Sequence, residues 1–329
     1  MKHRMDATEQ RTDVLVIGAG MAGLIAAAEL QGRPPRALVL DKGRGVGGRL
    51  ASRRINGATF DHGAQFITTR DPRLGAVLEQ GRQNGAMEEW CRGFACGADV
   101  SVLARKTRDV RLGQASRRWP RPPFGNADRR IAPRRESLER GNTTGRAYTA
   151  AALVLTPPVP QSLALLDAGG ILLASEMRTR LDAIEYERCL AIMAVLEGPS
   201  RIPPPGGLTP AAGPIAWIAD NQLKGISAEP AVTIHATHAF SVEHWDRDRE
   251  ESARALLDAA APWLGAGITT FQVHGWRYSK PMRVDQVLCV LVRQSPPLVL
   301  AGDAFAGPSV EGAALSGWAA AEAILSPAH

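Results

Sequence analysis

Residues 14–24 read VLVIGAGMAGL. Four consecutive apolar residues, Val14, Leu15, Val16 and Ile17, have the pattern of a strand buried on both faces. Gly18, Gly20 and Gly23 follow as a GxGxxG, with Met21 and Ala22 between the last two. The first glycine permits a tight turn, the second lets backbone approach a pyrophosphate, and the third lets a helix pack close to the strand. Residues 22–30 are a good helix, whose first N–H groups and dipole would face bound phosphate. A second strand over residues 37–40 ends on Asp41, whose carboxylate can accept hydrogen bonds from ribose hydroxyls and repel a 2′-phosphate. Together these features predict a dinucleotide-binding α/β unit.

The other end of the chain repeats the layout. Residues 298–317, LVLAGDAFAGPSVEGAALSG, read as a buried strand, a Gly302-Asp303 turn, a small-residue loop and an Ala-rich helix.

At 329 residues the chain is long enough for two domains. Its 33 Gly and 23 Pro, with only 5% aromatic residues, favour a loop-rich α/β protein over a helical bundle. No apolar run is long enough to span a membrane, and the polar first twelve residues read as a frayed leader without a signal-peptide core. A cytoplasmic protein is expected. Cys91, Cys96, Cys189 and Cys289 form no CxxC pair and read as reduced thiols in or near the core. Net charge is +6, but residues 101–150 alone carry twelve Arg and one Lys against four acids, so the remainder is net negative.

Both NAD and FAD use the GxGxxG fingerprint. The stretch that separates them is residues 41–68, DKGRGVGGRLASRRINGATFDHGAQFIT. A plain NAD domain would continue after Asp41 with helix and strand. Here Lys42 leads at once into a glycine-rich turn with Arg44, Gly47, Gly48 and Arg49, where backbone can lie near a diphosphate and Arg49 can neutralise it. Gly63, Ala64, Gln65 and Phe66 then offer mostly small residues to a flat ring.

With these pieces in view the chain resembles the flavin-containing amine oxidase family and, within it, the renalase-like enzymes. Residues 18–23, Asp41-Lys42, Gly47-Gly48-Arg49, residues 61–65 and Gly302-Asp303 carry the general likeness. Residues 233–241 (TIHATHAFS), 275–281 (GWRYSKP) and 301–317 carry the renalase-like part. The likeness covers both ends and most of the second half, and fails between about residues 97 and 146.

The resemblance implies an FAD-binding Rossmann-like domain of the glutathione-reductase type with a second, α+β substrate domain that roofs the flavin. The expected division is 1–71, 97–172 and 272–329 for the FAD domain, and 72–96 with 173–271 for the substrate domain. Asp303 would bond a ribityl hydroxyl or phosphate. The helix beginning near Glu311, Gly312 and Ala313 would aim N–H groups at the flavin N1/C2=O edge, where reduced flavin is negative. No cysteine flanks Ser309, so FAD is expected to be non-covalent.

For substrate, residues 233–237 alternate like a strand, with Thr233, His235 and Thr237 on one face. Residues 216–225 read as a strand entering a turn. His235, Arg277 and Tyr278 are the candidate catalytic residues: His235 and Arg277 to orient a substrate amide or phosphate, Tyr278 to line the cavity. The plain alternatives are a satisfied strand histidine, a surface arginine and a core aromatic. His235, His238 and His244 have neither helical nor strand ligand spacing, so no metal is expected. The renalase-like reading implies oxidation of dihydropyridine isomers of NAD(P)H, with O2 reduced to H2O2. The residues alone reach FAD-dependent hydride abstraction from a small molecule. An amine substrate is the rival, disfavoured by a Tyr count of three and no evident aromatic cage.

Residues 102–146 fit poorly. DVRLG at 109–113 looks like an expected strand, but clustered Arg and Pro follow without alternation until Ala151. A disordered basic insertion, a frame-shifted stretch and a polyanion-binding segment on a catalytically silent nucleotide-binding protein all account for this composition. No nucleic-acid module is present.

Overall fold

The computed structural model describes residues 10–31, 35–43, 45–92, 101–105, 131–134, 137–141 and 147–326. Residues 1–9 of the expected twelve-residue leader, Arg44, Cys96 and the expected strand at 109–113 lie outside the described residues; residues 10–12, expected to be frayed, instead pair in the first strand with residues 148–150. The N-terminal half contains β1 (Gln10–Ile17), α1 (Met21–Glu29), β2 (Ala37–Leu40), β3 (Ser52–Ile55), β4 (Ala58–Asp61), α2 (Pro72–Gln83) and β5 (Met87–Arg92). Next come β6 (Ser101–Arg105), β7 (Ile131–Arg134), β8 (Ser137–Gly141), β9 (Ala147–Leu155), α3 (Val159–Ala168) and α4 (Ser175–Asp182). Then follow β10 (Cys189–Leu196), β11 (Gly207–Leu208), β12 (Ile215–Asp220), β13 (Ala231–Ala236), α5 (His238–Glu243), α6 (Arg249–Leu264) and β14 (Ile268–Trp276). The chain closes with β15 (Val290–Arg293), β16 (Leu298–Leu300), α7 (Asp303–Ala306) and α8 (Val310–Leu325).

The irregular reading of 101–146 is corrected at β6, β7 and β8, and β9 begins four residues before Ala151. Regular backbone arises there without apolar alternation because β8 pairs with β9, a strand whose sequence is strongly apolar.

Two compact units result. The first takes the described residues of Met1–Gly48, Ser116–Glu185 and Pro281–His329; the second takes those of Arg49–Ala115 and Tyr186–Lys280. The units therefore divide at Gly48 and Lys280, not at 71 and 271 as the sequence pattern suggests. The hairpin of β3 and β4 explains the shift. Ile55, Ala58 and Phe60 share a core with Met193, Val195 and Ala231 of the second unit.

In the first unit the sheet order is β15-β16-β9-β1-β2. β1 runs parallel to both β2 and β9, and β16 runs parallel to β9. The next strand in sequence lies on one side of β1 and a much later one on the other, so the crevice at its C-terminal end is a topological switch point, where open α/β sheets bind ligands. α1 and α8 lie in close contact: a Cβ at Gly317 would come 2.4 Å from the Ala22 carbonyl oxygen.

In the second unit the five-stranded sheet β11-β12-β13-β10-β14 is antiparallel throughout. One face, with Leu190, Ile192, Ala194, Val232 and Ile234, packs on Leu256, Leu257, Ala260 and Leu264 of α6. The opposite face carries Met193, Val195 and Ala231 beside Thr233 and His235.

Candidate functional site

In the first unit, the GxGxxG turn is drawn together by contacts that only glycine permits. Gly18 sits at φ 103°, and Thr156 at the end of β9 donates its hydroxyl to the carbonyls of Ile17 (2.9 Å) and Gly18 (3.3 Å). A Cβ on Gly23 would lie 2.0 Å from the Gly18 carbonyl oxygen. Asp41 braces the turn: its carboxylate accepts from the N–H of Ala19 and of Gly43, both at 2.6 Å. The glycine pair also closes on this turn. The Gly47 N–H donates to the Ala19 carbonyl at 2.7 Å, and a Cβ on Gly48 would reach 3.5 Å from the Gly20 Cα.

This turn fits a dinucleotide. Gly20 is the N-cap of α1, no side chain caps that helix, and its first turn holds no acid. A Cβ on Gly20 would meet nothing within 4 Å, so space lies in front of the helix start. An uncapped N-terminus beside open space is suited to phosphate. Met21, Ala22 and Gly23 open the helix there, while Lys42 is exposed and lies 3.5 Å from Gln161. At the other end, Gly302 (φ 147°) donates its N–H to Ser316 and leads into the buried Asp303. The expectation for Gly312 needs correcting. Its N–H donates to the Ser309 hydroxyl at 3.0 Å, because serine at the N-cap takes the third donor of α8 for itself. Ala313 likewise donates to the Ser309 carbonyl, while Glu311 sits in the first turn.

The second unit gathers a polar cluster. Strand register places Trp217, His235, Ala191 and His274 in one transverse row across β12, β13, β10 and β14. Directly opposed residues share a face. The segment from Asp61 to Gln65 is fastened over this face. The His62 carbonyl accepts from His235 Nε2 at 3.1 Å and from Trp276 Nε1 at 2.7 Å, bridging β13 and β14. Asp61 donates its N–H to Asn221 (3.4 Å) and accepts the Thr233 hydroxyl at its carbonyl (3.0 Å). Its carboxylate pairs with Lys224 at 2.9 Å, both side chains being buried. Gln65 Nε2 donates to the carbonyls of Asp61 (2.7 Å) and Gly63 (3.1 Å). Ala64 donates to the Arg49 carbonyl, and a Cβ on Gly63 would lie 2.0 Å from that oxygen. The Phe66 ring meets Trp217.

Burial sets the charge state of the histidines. It pulls His62 from 6.5 to about 3, with His274 and Arg53 adding to the shift. Burial also pulls His235 to about 4, and His274 to about 4 with help from Arg53. At neutral pH all three rings are uncharged. Since a carbonyl only accepts, His235 holds its proton on Nε2. Cys189 is an ordinary buried thiol, pushed up to about 12 by burial.

Of the expected substrate residues, His235 is in the cluster. Arg277 and Tyr278 follow the end of β14 at Trp276; Arg277 is exposed, and Tyr278 packs edge-on against Tyr186. Beyond the strand end, Ser279 donates its N–H to the Glu187 carbonyl and Glu187 donates its own to the Lys280 carbonyl. Thr237 also leaves its strand, capping α5 instead. Arg49, expected on a diphosphate, directs Nη1 to the Ser279 carbonyl at 3.0 Å. Sequence reading missed Lys224, Asn221, Arg53 and His274. None stands in a local motif: Arg53 and His274 are placed by strands, and Asn221 and Lys224 by the turn after β12.

Ala191 faces the bridging segment, so bulk there should be poorly tolerated. Ala191→Leu is expected to destabilise the protein by about 1–3 kcal/mol. Thermal unfolding and amide exchange at 61–65 check this, and an unchanged melting temperature would contradict the placement.

One unit is Rossmann-like with an open, uncapped glycine turn suited to phosphate, and the other holds a buried polar cluster. The NAD(P)-binding Rossmann-like domain family model matches residues 16–80. Renalase of Mus musculus is 25% identical, over 91% of this chain and 94% of its own length. The putative flavin-containing monoamine oxidase AofH of Mycobacterium tuberculosis is 43% identical over 70 residues, and that match spans only 15% of the relative's length. Among solved structures, a putative protoporphyrinogen oxidase from Exiguobacterium sp. has a TM-score of 0.69 at 11% identity, covering 96% of this chain and 98% of that one. The resemblance to FAD-dependent oxidoreductases of the amine oxidase and renalase type is borne out, as is the α/β fold with a second domain. Among the described residues no helix is long and apolar enough to cross a membrane.

Proposed function

We propose that the protein oxidises a dihydropyridine isomer of NAD(P)H, whose reacting ring is uncharged, using non-covalent FAD. FAD supplies a hydride acceptor at flavin N5 and returns the electrons to O2. The balance is dihydropyridine plus O2 plus H+ giving NAD(P)+ plus H2O2.

The observation that carries this reading is the charge state of the second unit's cluster. Its three imidazoles are neutral and weakly basic, and its carboxylate, Asp61, is already matched by Lys224. An ammonium substrate would need a counter-charge and a base to take its proton. A dihydropyridine needs neither, because it is itself a hydride donor. In this reading Gly18, Gly20, Gly23 and the first N–H groups of α1 hold the diphosphate, Asp41 serves the ribose side, and Asp303 serves the ribityl side. His235 orients the carboxamide, and Arg277 is the candidate for the substrate's phosphates. The similarity to renalase supports it by extent, since it runs the length of the chain.

The alternative is a flavin-dependent amine oxidase. AofH favours it, but through 21% of this chain. Visible absorption under anaerobic conditions separates the two. Oxidised-flavin bands should bleach on adding mixed dihydropyridine isomers of NADH and stay unchanged with mono- and diamines. Bleaching by amines alone would replace the first reading with the second.

A further inference from the structure

We propose that Lys224 is a positioning residue for the reaction, acting through segment 61–65 and not on substrate; the proposal rests on the flavoenzyme reading above. Lys224 lies in the turn after β12, where its N–H donates to the Asp220 carbonyl. Its buried ammonium reaches the Asp61 carboxylate at 2.9 Å and also donates to the Gln65 carbonyl, so one group clasps both ends of the segment. The Trp90 ring lies 5.0 Å from the same nitrogen and adds a cation–π contact.

Stability alone does not call for such a pair, because buried ion pairs can often be replaced by apolar groups without loss. The segment's own chemistry points to a held pose. Gln65 Oε1 and His62 Nδ1 are buried without hydrogen-bond partners among the described residues, and both residues are more than nine-tenths buried. Unpaired buried polar atoms disfavour a conformation, and it persists only where its surroundings over-determine it. Here they do: Asn221, Thr233, His235 and Trp276 each bond the backbone of Asp61 or His62, and Lys224 closes the far end at Gln65. The clasp thereby fixes His62 and the Gln65 carboxamide beside His235, the residue to which substrate orientation is assigned.

The test compares Lys224→Met with the double variant Asp61→Asn/Lys224→Met in the full-length protein. The single variant should melt lower, because Asp61 stays buried without its partner. The double variant removes both charges and should recover most of the melting temperature. In it, amide exchange at 62–66, measured without added FAD, should be roughly tenfold faster than in wild type. Its maximal rate of flavin reduction should fall roughly 10- to 100-fold, with KM and FAD content little changed. Wild-type exchange or a wild-type reduction rate in the double variant would overturn the proposal and leave Lys224 a structural filler. Asp61→Asn/Lys224→Gln, which keeps a donor and an acceptor, carries the same test if the first pair does not fold. If wild-type protein takes up no FAD, the flavoenzyme reading falls, while the exchange measurement still judges the clasp.

Discussion

Gly23→Ala should yield a colourless protein. The added Cβ would sit 2.0 Å from the Gly18 carbonyl oxygen and 2.9 Å from Thr156 Oγ1. The first neighbour is backbone within the same turn and cannot rotate away, so α1 must move off the end of β1. Overpacking of this kind costs about 1–3 kcal/mol in stability. The loss in FAD binding should be of similar size, because moving α1 misplaces every N–H that its first turn would offer to phosphate. A weakening of roughly 100-fold corresponds to about 2.7 kcal/mol. The absorbance ratio at 450 and 280 nm of purified protein, followed by titration with FAD, measures it. Gly20→Ala is the informative comparison, since its Cβ meets nothing within 4 Å. That variant should melt like wild type yet bind FAD less well, because the methyl occupies the space the cofactor needs. A yellow Gly23→Ala protein with wild-type affinity would refute the turn's role.

The second large effect is acid instability. His62 is held at about 3, His235 and His274 at about 4, against 6.5 when unfolded. Between about pH 4 and 6.5 the unfolded chain therefore binds more protons than the folded one, and stability rises with pH across that window. The histidine contribution is complete above about pH 7 and is lost as pH falls. Each proton taken up on unfolding contributes a slope of about 1.4 kcal/mol per pH unit. His274 is more exposed than the others, so the combined slope should be about 3 kcal/mol per pH unit. Denaturant midpoints from pH 7.5 to 4.5 would show it. His235→Gln, which keeps a donor for the His62 carbonyl, should flatten the slope by about one proton's worth. An equal slope in the variant would show that His235 is not held neutral.

The local motifs were legible because their physics is local. A glycine turn between an apolar strand and a helix needs only neighbours within a few residues, and Gly18 to Gly23, Asp41 and α8 stand where their patterns place them. Alternation at 233–237 likewise separated Thr233 and His235 from the apolar face, while Thr237 lies past the strand end. Arg277 and Tyr278 illustrate the limit. A pattern can mark a strand, but where it ends depends on what pairs with it, and β14 ends at Trp276, before both residues.

The sequence by itself determined the strand, glycine turn and helix at the N-terminus that suit a dinucleotide, since residue types and spacing within some thirty positions set that geometry. The tertiary structure alone decided the rest. It assigned residues 49–71 to the second unit through Phe60 and its neighbours. It joined Asp61 to Lys224 across 163 positions. It also turned three ordinary histidines into neutral ones. Strand register and the burial of polar side chains depend on partners distant in the chain, which the neighbouring residues do not specify.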